Sequence, residues 1–350
     1  MAQRDDLVKT RILIISDTHG APLVHKDGKQ APFAPFEKPL PKADVLIHCG
    51  DMTMTGGITQ YHGTLDMLKE IDALAKFVIA GNHDLSLDKD YIMSHAQSVD
   101  MTYEEARTLA TQANELWTSP TGRAQQEGVI YLSEGIHQQK LLNGAILTIY
   151  SSPHTPEFCD WGFPYGRDHD RFNSEETKLS DATTLTSQAV PSPSEVQIDV
   201  MVTHGPPFGR LDKTEDSFRA GCPHLLRATM RARPLLHCFG HIHEGWGSER
   251  VAWSPSADAV TRAPCSIEEW KEGAWKAGVA DNGAGITKIT CDRHRTEEDH
   301  GAFVDASRTG NALHRGQETL MVNASIMNVR YRPANAPWLV DLDLPRAEAS

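Results

Sequence analysis

Short apolar runs rich in Ile, Val and Leu alternate along the chain with segments of helical periodicity. The runs cover residues 12–15, 45–47, 77–79, 130–132, 141–150, 198–202 and 235–239, and two later stretches at 322–326 and 338–340 predict strands that return to close the core. Runs of this kind are typical of strands in buried sheets. Helical spacing is shown by Leu65, Leu68, Ile71 and Leu74, and by Leu109, Ala113, Leu116 and Trp117. Strands that alternate with helices predict an α/β architecture.

Two stretches break this regular pattern. Residues 174–194 are rich in Ser and Thr and contain Pro191-Ser192-Pro193, which predicts an exposed, mobile loop. Residues 248–318 mix Gly, Ser and charged residues with Trp253, Trp270 and Trp275. Tryptophans argue against full disorder, so this range is interpreted as a partly folded insertion. The 350 residues are then expected to form a single domain, 1–350, that carries this loop and this insertion.

Five short polar motifs follow the predicted strands in a fixed order. They are Asp17-Thr18-His19, Gly50-Asp51, Gly81-Asn82-His83-Asp84, Thr203-His204-Gly205 and Gly240-His241-Ile242-His243. Open α/β sheets place their ligands at the carboxyl ends of their strands, where these motifs fall. Together the motifs supply Asp, Asn and His groups from distant parts of the chain, which is what a site for two metal ions needs.

The first two motifs offer carboxylates. Asp17 and His19 are spaced i, i+2, so an extended backbone would put both side chains on the same side for one cation. Asp51 follows a glycine, and its two oxygens are able to bridge two cations. Taken alone, the first motif is more often a turn with a helix cap, and Asp51 is equally well explained as a helix N-cap.

The next two motifs add neutral ligands and a proton donor. Asn82 offers a carbonyl oxygen, His83 is able to donate a proton, and Asp84 would orient His83 by accepting its second N–H. A turn built on Gly81-Asn82 is the alternative explanation. His204 precedes Gly205-Pro206-Pro207, a rigid turn that would fix its position.

The last motif contains two histidines spaced i, i+2 after a strand, His241 and His243. Such a pair indicates a metal site because polar groups are costly to bury without partners. The whole ligand set is nitrogen and oxygen without thiolate, which favours Mn, Fe, Zn or Co. Cys49 is explained as a small buried strand residue.

Composition limits the partners of the chain. Its net charge of -13 argues against broad binding to nucleic acid or to an anionic membrane. No apolar stretch approaches the roughly 18 residues of a membrane span, and the N-terminus has no apolar region typical of a secretory signal. The six cysteines show no CxxC spacing and suit a reducing compartment, so a cytoplasmic location is expected.

The five motifs together resemble those of the calcineurin-like metallophosphoesterases, whose blocks are D-x-H, G-D, G-N-H-[DE], H and G-H-x-H. A narrower similarity is to the metallophosphoesterase-domain-containing (MPPED-like) branch. It rests on residues 150–153, 156–158, 161–163 and Arg167, then on residues 221–226 and 240–247. Some animal members of this branch have glycine at the position of His241 and are thought to be weak catalysts.

This resemblance implies a four-layer αββα sandwich, with two mixed β-sheets flanked by helices, and a site for two divalent metal ions. One ion would be held by Asp17, His19, Asp51 and His243, and the other by Asp51, Asn82, His204 and His241. It also implies that His83 contacts the phosphate and assists the leaving group, with Asp84 behind it.

The expected activity is hydrolysis of a small phosphate ester. The resemblance favours a phosphodiesterase acting on nucleotides, including cyclic ones. Trp161, Phe163 and Arg167 would wall the pocket by stacking on a base or pairing with phosphate, although ordinary core packing explains the aromatic pair equally well. Two alternatives stay open: a nucleotide- or metal-binding regulatory protein with little turnover, and a protein phosphatase, which needs a broad open cleft.

Overall fold

The computed structural model describes residues 6–23, 36–174, 183–184, 189–254, 285–292, 296 and 298–348. Two large sheets dominate this part of the chain. The first has six strands, in spatial order β15 (Ala302–Asp305), β17 (Trp338–Pro345), β1 (Leu7–Ile15), β2 (Ala43–His48), β3 (Ala73–Val78) and β4 (Val129–Tyr131). The second has seven, in the order β14 (Ile286–Ile289), β13 (Gly247–Ala252), β16 (Glu318–Asn323), β12 (Leu236–Phe239), β11 (Val200–Thr203), β6 (Ile146–Ser152) and β5 (Gly135–Lys140). Two short pairs join β7 (Thr155–Pro156) to β8 (Pro164–Tyr165) and β9 (His169–Asp170) to β10 (Thr183–Thr184).

The central strands of both sheets are parallel. In the first sheet β1, β2, β3 and β4 run in one direction, with Ile12 opposite Val45 and Ile47 opposite Phe77. In the second sheet β6, β11, β12 and β16 are parallel, while β5 and β13 are antiparallel to their neighbours. Parallel strands covered on both faces need apolar residues at every position, which explains the continuous runs of Ile, Val and Leu.

The two sheets pack face to face and helices cover their outer faces. The layer between the sheets contains Ile12, Ile47, Val202 and Val322 among other aliphatic residues. The helices α1 (Ile58–Lys69) and α3 (Tyr103–Thr118) lie on the first sheet, and α5 (Pro223–Ala232) lies on the second. Two shorter helices are α2 (Lys89–Ser94) and α4 (Arg123–Gln126). The predicted αββα sandwich of two mixed sheets is confirmed.

Helix ends follow local sequence signals. The Thr102 hydroxyl oxygen accepts a hydrogen bond from Glu105 N, and the Glu105 carboxylate accepts one from Thr102 N, so α3 begins with a capping box. Pro223 occupies the first turn of α5 and Cys222 accepts a bond from Leu225 N. These signals place α3 and α5 against the sheets at fixed points.

The predicted strand at 141–150 was too long and hid a hairpin. Leu141 donates to Ala145 and Gly144 donates back to Leu141, so the chain reverses before β6 begins at Ile146. The preceding strand, β5, escaped prediction because GIHQQK is a polar edge strand without an apolar run. An edge strand with polar side chains is protected from pairing with other chains.

The range expected to be an insertion, 248–318, contributes strands to both sheets. It contains nearly all of β13, together with β14 in the second sheet and β15 in the first. Trp253 is buried and its indole N–H donates to Thr319 Oγ1 at 2.8 Å. Trp270 and Trp275 lie outside the described residues, as do 175–182 and 185–188 of the predicted loop. In the described part of the chain no helix has the length and apolar character that crossing a membrane requires.

Candidate metal centre

The polar motifs meet where the parallel strands of both sheets end. Asp17 N donates to Gly50 O at 2.9 Å, which joins the loops after β1 and β2. Gly240 N donates to His204 O at 2.9 Å and joins the loops after β12 and β11. The sequence-predicted motifs are therefore neighbours in space.

Four residues of these motifs adopt the left-handed backbone conformation. The φ angles are 52° for Asp17, 45° for His19, 54° for Asp51 and 66° for His241. The expectation that i, i+2 spacing acts through an extended backbone is therefore wrong, because both pairs lie on tight turns. Left-handed conformations cost about 1–2 kcal/mol for residues with a Cβ atom, and they cluster at functional sites.

Two glycines let these turns approach one another. A Cβ atom on Gly81 would lie 2.3 Å from Asp51 Oδ1, and one on Gly240 would lie 2.0 Å from Asp17 Oδ2. Any larger residue would displace a carboxylate of the site. The glycines of these motifs are thus explained by the space that the carboxylates occupy.

Three histidines are oriented by backbone carbonyl groups. The Nδ1 atom of His19 lies 3.2 Å from Thr53 O, that of His204 lies 2.9 Å from Cys49 O, and that of His243 lies 3.0 Å from Asn328 O. Each bond fixes the ring so that Nε2 faces the centre of the site, where the Nε2 atoms of His19 and His243 are 3.4 Å apart. Metal-binding histidines in proteins are held in this way.

Asp51 lies between two groups of nitrogen ligands. Its Oδ2 is 3.7 Å from His19 Nε2, while its Oδ1 is 3.3 Å from His204 Nε2. Asp17 Oδ1 is 3.5 Å from His243 Nε2, and Asn82 Oδ1 is 2.8 Å from His204 Nε2. One oxygen of Asp51 faces each group, which is a geometry in which a carboxylate is able to bridge two cations.

Donor atoms of three overlapping groups lie within 4.8 Å of one another. The groups are Asp17, His19 and His243; Asp17, Asp51 and His204; and His19, Asp51 and His83. His241 joins the second group through its ring, whose centroid is 5.1 Å from that of His204. The five loops that follow β1, β2, β3, β11 and β12 thus bring all seven predicted ligands together, with His83 beside them.

The electrostatics of the site suit a cation. Burial opposes ionisation of Asp51, but His204 and other histidines outweigh it and hold the pKa of Asp51 well below its usual range. Burial lowers the pKa of His241 to about 3, so its ring is neutral. Burial also opposes a charge on His204, yet Asp51 and Asp17 raise its pKa to about 9. The negative field that attracts a proton there also attracts a metal ion, so the residues fit divalent metal binding.

Asp84 does not lie behind His83 as expected. The Nδ1 atom of His83 lies 2.9 Å from Met54 O, and no bond to Asp84 is found among the described residues. The carboxylate of Asp84 is fully buried and accepts from the backbone N–H groups of Met52, Thr53 and Gly81. Asp84 therefore ties together the loops that carry Asp51 and His83, because its carboxylate reaches four donors on them.

A cavity of about 280 Å³ lies above the candidate metal ligands and is lined by Asp51, Asn82, His241 and His243 among others. Trp161 stacks on the ring of His83 with centroids 3.9 Å apart. Arg167 also lines the cavity, with its guanidinium 5.8 Å from the ring centroid of Phe218. Phe163, predicted as a wall, is instead buried outside the lining and meets His154 edge-on.

Sequence reasoning missed the residues that follow β16. The ring of Tyr331 meets those of His19 and His243 with centroids 4.9 and 5.5 Å apart. Ser325 donates to Asp17 Oδ2 at 2.9 Å. The strand pairing explains their position: β16 is parallel to β12, so the loop after β16 begins at the same edge of the sheet as the site.

Comparison with known proteins supports this picture. The model of the calcineurin-like phosphoesterase family matches residues 10–245. The chain is 32% identical over 278 residues to the probable rhamnogalacturonate lyase C of Emericella nidulans, covering 79% of this chain and 20% of that protein. It is 31% identical over 251 residues to metallophosphoesterase domain-containing protein 1 of Homo sapiens, covering 68% and 62%. A UPF0046 protein of Caenorhabditis elegans is 31% identical over 214 residues, covering 59% and 48%. The chain thus spans less than two thirds of the length of each of these three relatives.

Proposed function

Because this chain belongs to the calcineurin-like phosphoesterase family, we propose that it is a metal-dependent hydrolase of small phosphate esters. The preferred substrates are phosphodiesters of the nucleotide class, such as cyclic nucleotides. The observation that carries the proposal is the convergence of histidine nitrogens and carboxylate oxygens within 4.8 Å at the floor of a cavity. The five cysteines in the described ranges are free thiols, which supports a reducing compartment such as the cytoplasm.

The proposed site holds two divalent metal ions of the Mn, Fe, Zn or Co type. Asp17, His19, Asp51 and His243 hold one ion, and Asp51, Asn82, His204 and His241 hold the other. The split is supported by the two oxygens of Asp51, which face His19 and His204 respectively. Nitrogen and oxygen donors without thiolate fit these metals.

Metal ions in such a site supply Lewis acidity that attracts phosphate and promotes the attack of water on phosphorus. The protein contributes the proton for the leaving group. His83 Nδ1 is directed to Met54 O, which leaves Nε2 as the atom that holds this proton. Trp161 stacks on His83 and holds its ring in place at the cavity. Proton donation of this kind contributes about 10²–10⁴-fold to the rate.

The size and lining of the cavity favour a small substrate over a protein substrate. Trp161, Phe158, Phe218 and Tyr331 surround it with aromatic surface, on which a nucleobase is able to stack. Arg167 is the cation at its wall that would pair with phosphate. A protein phosphatase needs a broad open cleft, whereas the space that these side chains line has a volume of only about 280 Å³. The presence of all seven predicted metal ligands favours an enzyme over a regulatory protein that binds a nucleotide or metal with little turnover.

The test is metal analysis of the purified protein combined with a substrate panel. The panel contains bis- and mono-p-nitrophenyl phosphate and 2′,3′- and 3′,5′-cyclic nucleotides, with and without added Mn²⁺. We expect metal-dependent turnover that is faster for diesters, and Asp51→Asn should lose both activity and at least one ion. An exposed substitution, Asp90→Asn, is the matched control. Bound metal without turnover of any ester would favour the regulatory binding protein instead.

A further inference from the structure

Four apolar side chains line the cavity above the candidate metal ligands and are also exposed to solvent. Phe158 is 59% exposed, Phe218 55%, Tyr331 45% and Val329 42%. They are four of the ten large apolar side chains that are exposed in the described residues. Exposed apolar residues that are scattered singly are normal, whereas a group of them at one cavity marks a binding surface. These four residues form the apolar rim of the cavity.

Local hydrogen bonds hold the rim residues on tight turns. Thr214 N and Thr214 Oγ1 both donate to Phe218 O at 3.0 Å, which closes the turn that carries Phe218. Asn328 O accepts from Tyr331 N at 2.9 Å and lies 3.0 Å from His243 Nδ1, so one carbonyl ties the turn of Tyr331 to a candidate metal ligand. Tyr331 has a φ angle of 53°, a conformation that costs energy for a residue with a Cβ atom. The turn of Tyr331 is thus fixed directly to the site.

The rim lies beside the groups that the proposed reaction uses. The ring of Phe158 meets that of His241 edge-on, with centroids 6.3 Å apart. The ring of Phe218 lies 5.8 Å from the guanidinium that would pair with phosphate. Trp161, by contrast, stacks on His83, the proposed proton donor for the leaving group. In the proposed reaction the leaving group then lies beside Trp161, and the ester group that stays on phosphorus has Phe158 and Phe218 as its neighbours.

The charges around the rim favour a substrate group over a membrane as its occupant. Val329 and Tyr331 lie on either side of the exposed Arg330, and Phe218 lies two positions after the exposed Asp216. A lipid surface that covered the rim would also have to cover these charges, which is costly. The net charge of -13 opposes an anionic surface in addition. A single apolar group at the cavity contacts the rim side chains and leaves the charges in water.

We propose that the site hydrolyses acyclic phosphodiesters in which the alcohol that stays on phosphorus is apolar and lies on the apolar rim. The inference rests on the phosphodiesterase function proposed above and adds a substrate class to it. A cyclic nucleotide carries both ester bonds on one sugar, so it has no second alcohol to place there. In the reaction the oxygen of water bonds to phosphorus as the bond to the leaving alcohol breaks. The leaving oxygen ends with a proton, and the products are that alcohol and the phosphomonoester of the apolar alcohol.

The test uses p-nitrophenyl alkyl phosphates with methyl, butyl and hexyl groups, each below the concentration at which it aggregates. p-Nitrophenolate leaves in every case, so only the retained group changes. Full burial of one CH₂ group favours binding about fourfold, so half-burial on an open rim gives about twofold for each CH₂. We expect kcat/KM to rise about 30-fold from methyl to hexyl. Calorimetric titration with hexyl and methyl phosphate should show the same preference without turnover.

Two variants reduce the apolar area of the rim. Phe158→Ser and Phe218→Ser should each lower the hexyl-to-methyl ratio of kcat/KM by at least about twofold, and the double variant should lower it further. Leu142→Ser is the matched control, because Leu142 is 80% exposed on the hairpin before β6 and does not line the cavity. Its ratio should equal that of the unmodified chain. Thermal melting verifies that every variant is folded.

Release of p-nitrophenolate without a rise in kcat/KM along the series overturns the inference and leaves the phosphodiesterase proposal intact. A rise that persists in the double variant, or that falls equally in Leu142→Ser, also overturns it, since the alkyl chain then binds elsewhere. Co-sedimentation with phosphatidylcholine vesicles that Phe158→Ser abolishes, without a chain-length effect, would assign the rim to a lipid surface. Release from none of the esters would refute the inference together with the phosphodiesterase function.

Discussion

Replacement of Asp84 by asparagine tests whether this carboxylate holds the site together. Its Oδ1 accepts from Thr53 N and Thr53 Oγ1 at 3.0 and 2.7 Å, and its Oδ2 accepts from Met52 N and Gly81 N at 3.1 and 2.9 Å. Asparagine has one acceptor oxygen. When that oxygen accepts from Met52 N and Gly81 N, the NH₂ group faces the backbone N–H of Thr53, while the Thr53 hydroxyl is able to turn and accept from it. A buried donor left unpaired costs about 1–3 kcal/mol.

The expected loss for Asp84→Asn is about 1.5 kcal/mol, toward the lower end of the range for one unpaired donor. The low end applies because burial and the nearby Asp51 already raise the pKa of Asp84 to about 7, so removing its charge relieves part of the cost. At roughly 2 °C per kcal/mol for a large domain, the melting temperature should fall by about 3 °C.

The assay is thermal denaturation followed by circular dichroism in EDTA, so that metal binding does not contribute. Asp90→Asn, on the exposed side of α2, should change stability by less than about 0.5 kcal/mol. If Asp84 instead served only to orient His83, the variant would lose activity at unchanged melting temperature. A shift below about 1 °C would therefore refute the structural role that the hydrogen bonds indicate.

Three further outcomes are expected. His241→Ala should lose one of two metal ions by elemental analysis while His83→Ala keeps both, and equal loss in the two variants would contradict the ligand assignment. The rate loss in His83→Ala should be largest for esters with poor leaving groups, up to about 10²–10⁴-fold, so a uniform loss would exclude proton donation. Burial disfavours ionised Glu318, but hydrogen bonds from Arg250 outweigh it and lower its pKa to about 2. The ionised Glu318 carboxylate therefore contributes to stability above pH 4.5, and this contribution is lost as the pH falls to about 2. In Glu318→Gln the melting temperature should depend less on pH between those two values.

The family and the αββα sandwich were predictable because their signals are local. Each parallel strand buried on both faces is a continuous apolar run, and each motif directly follows such a run. Asp51 follows a strand of the first sheet and His204 follows a strand of the second, so their approach follows from the face-to-face packing of the two sheets. The similarity to metallophosphoesterase domain-containing protein 1 confirms the recognised family.

What could not be predicted depends on contacts between distant segments. Asp84 is three residues from Gly81 and next to His83, yet its other partners, Met52 and Thr53, lie on a different loop. Phe163 and Trp161 are both aromatic and two positions apart, but only Trp161 reaches the cavity. The hydrophobic periodicity of the sequence indicates which side chains are buried, but it does not indicate which neighbouring residue each one contacts.

The backbone of His241 has a consequence for how such a site changes over time. At φ 66° a glycine is free of the steric cost that a histidine bears, so a change to glycine would favour the fold by about 1 kcal/mol. Selection for folding alone would therefore erode this proposed ligand, since the change to glycine makes the protein more stable as it weakens the proposed second metal position. The local backbone disfavours histidine at position 241. Histidine would be kept there only if binding a metal ion gave the protein an advantage.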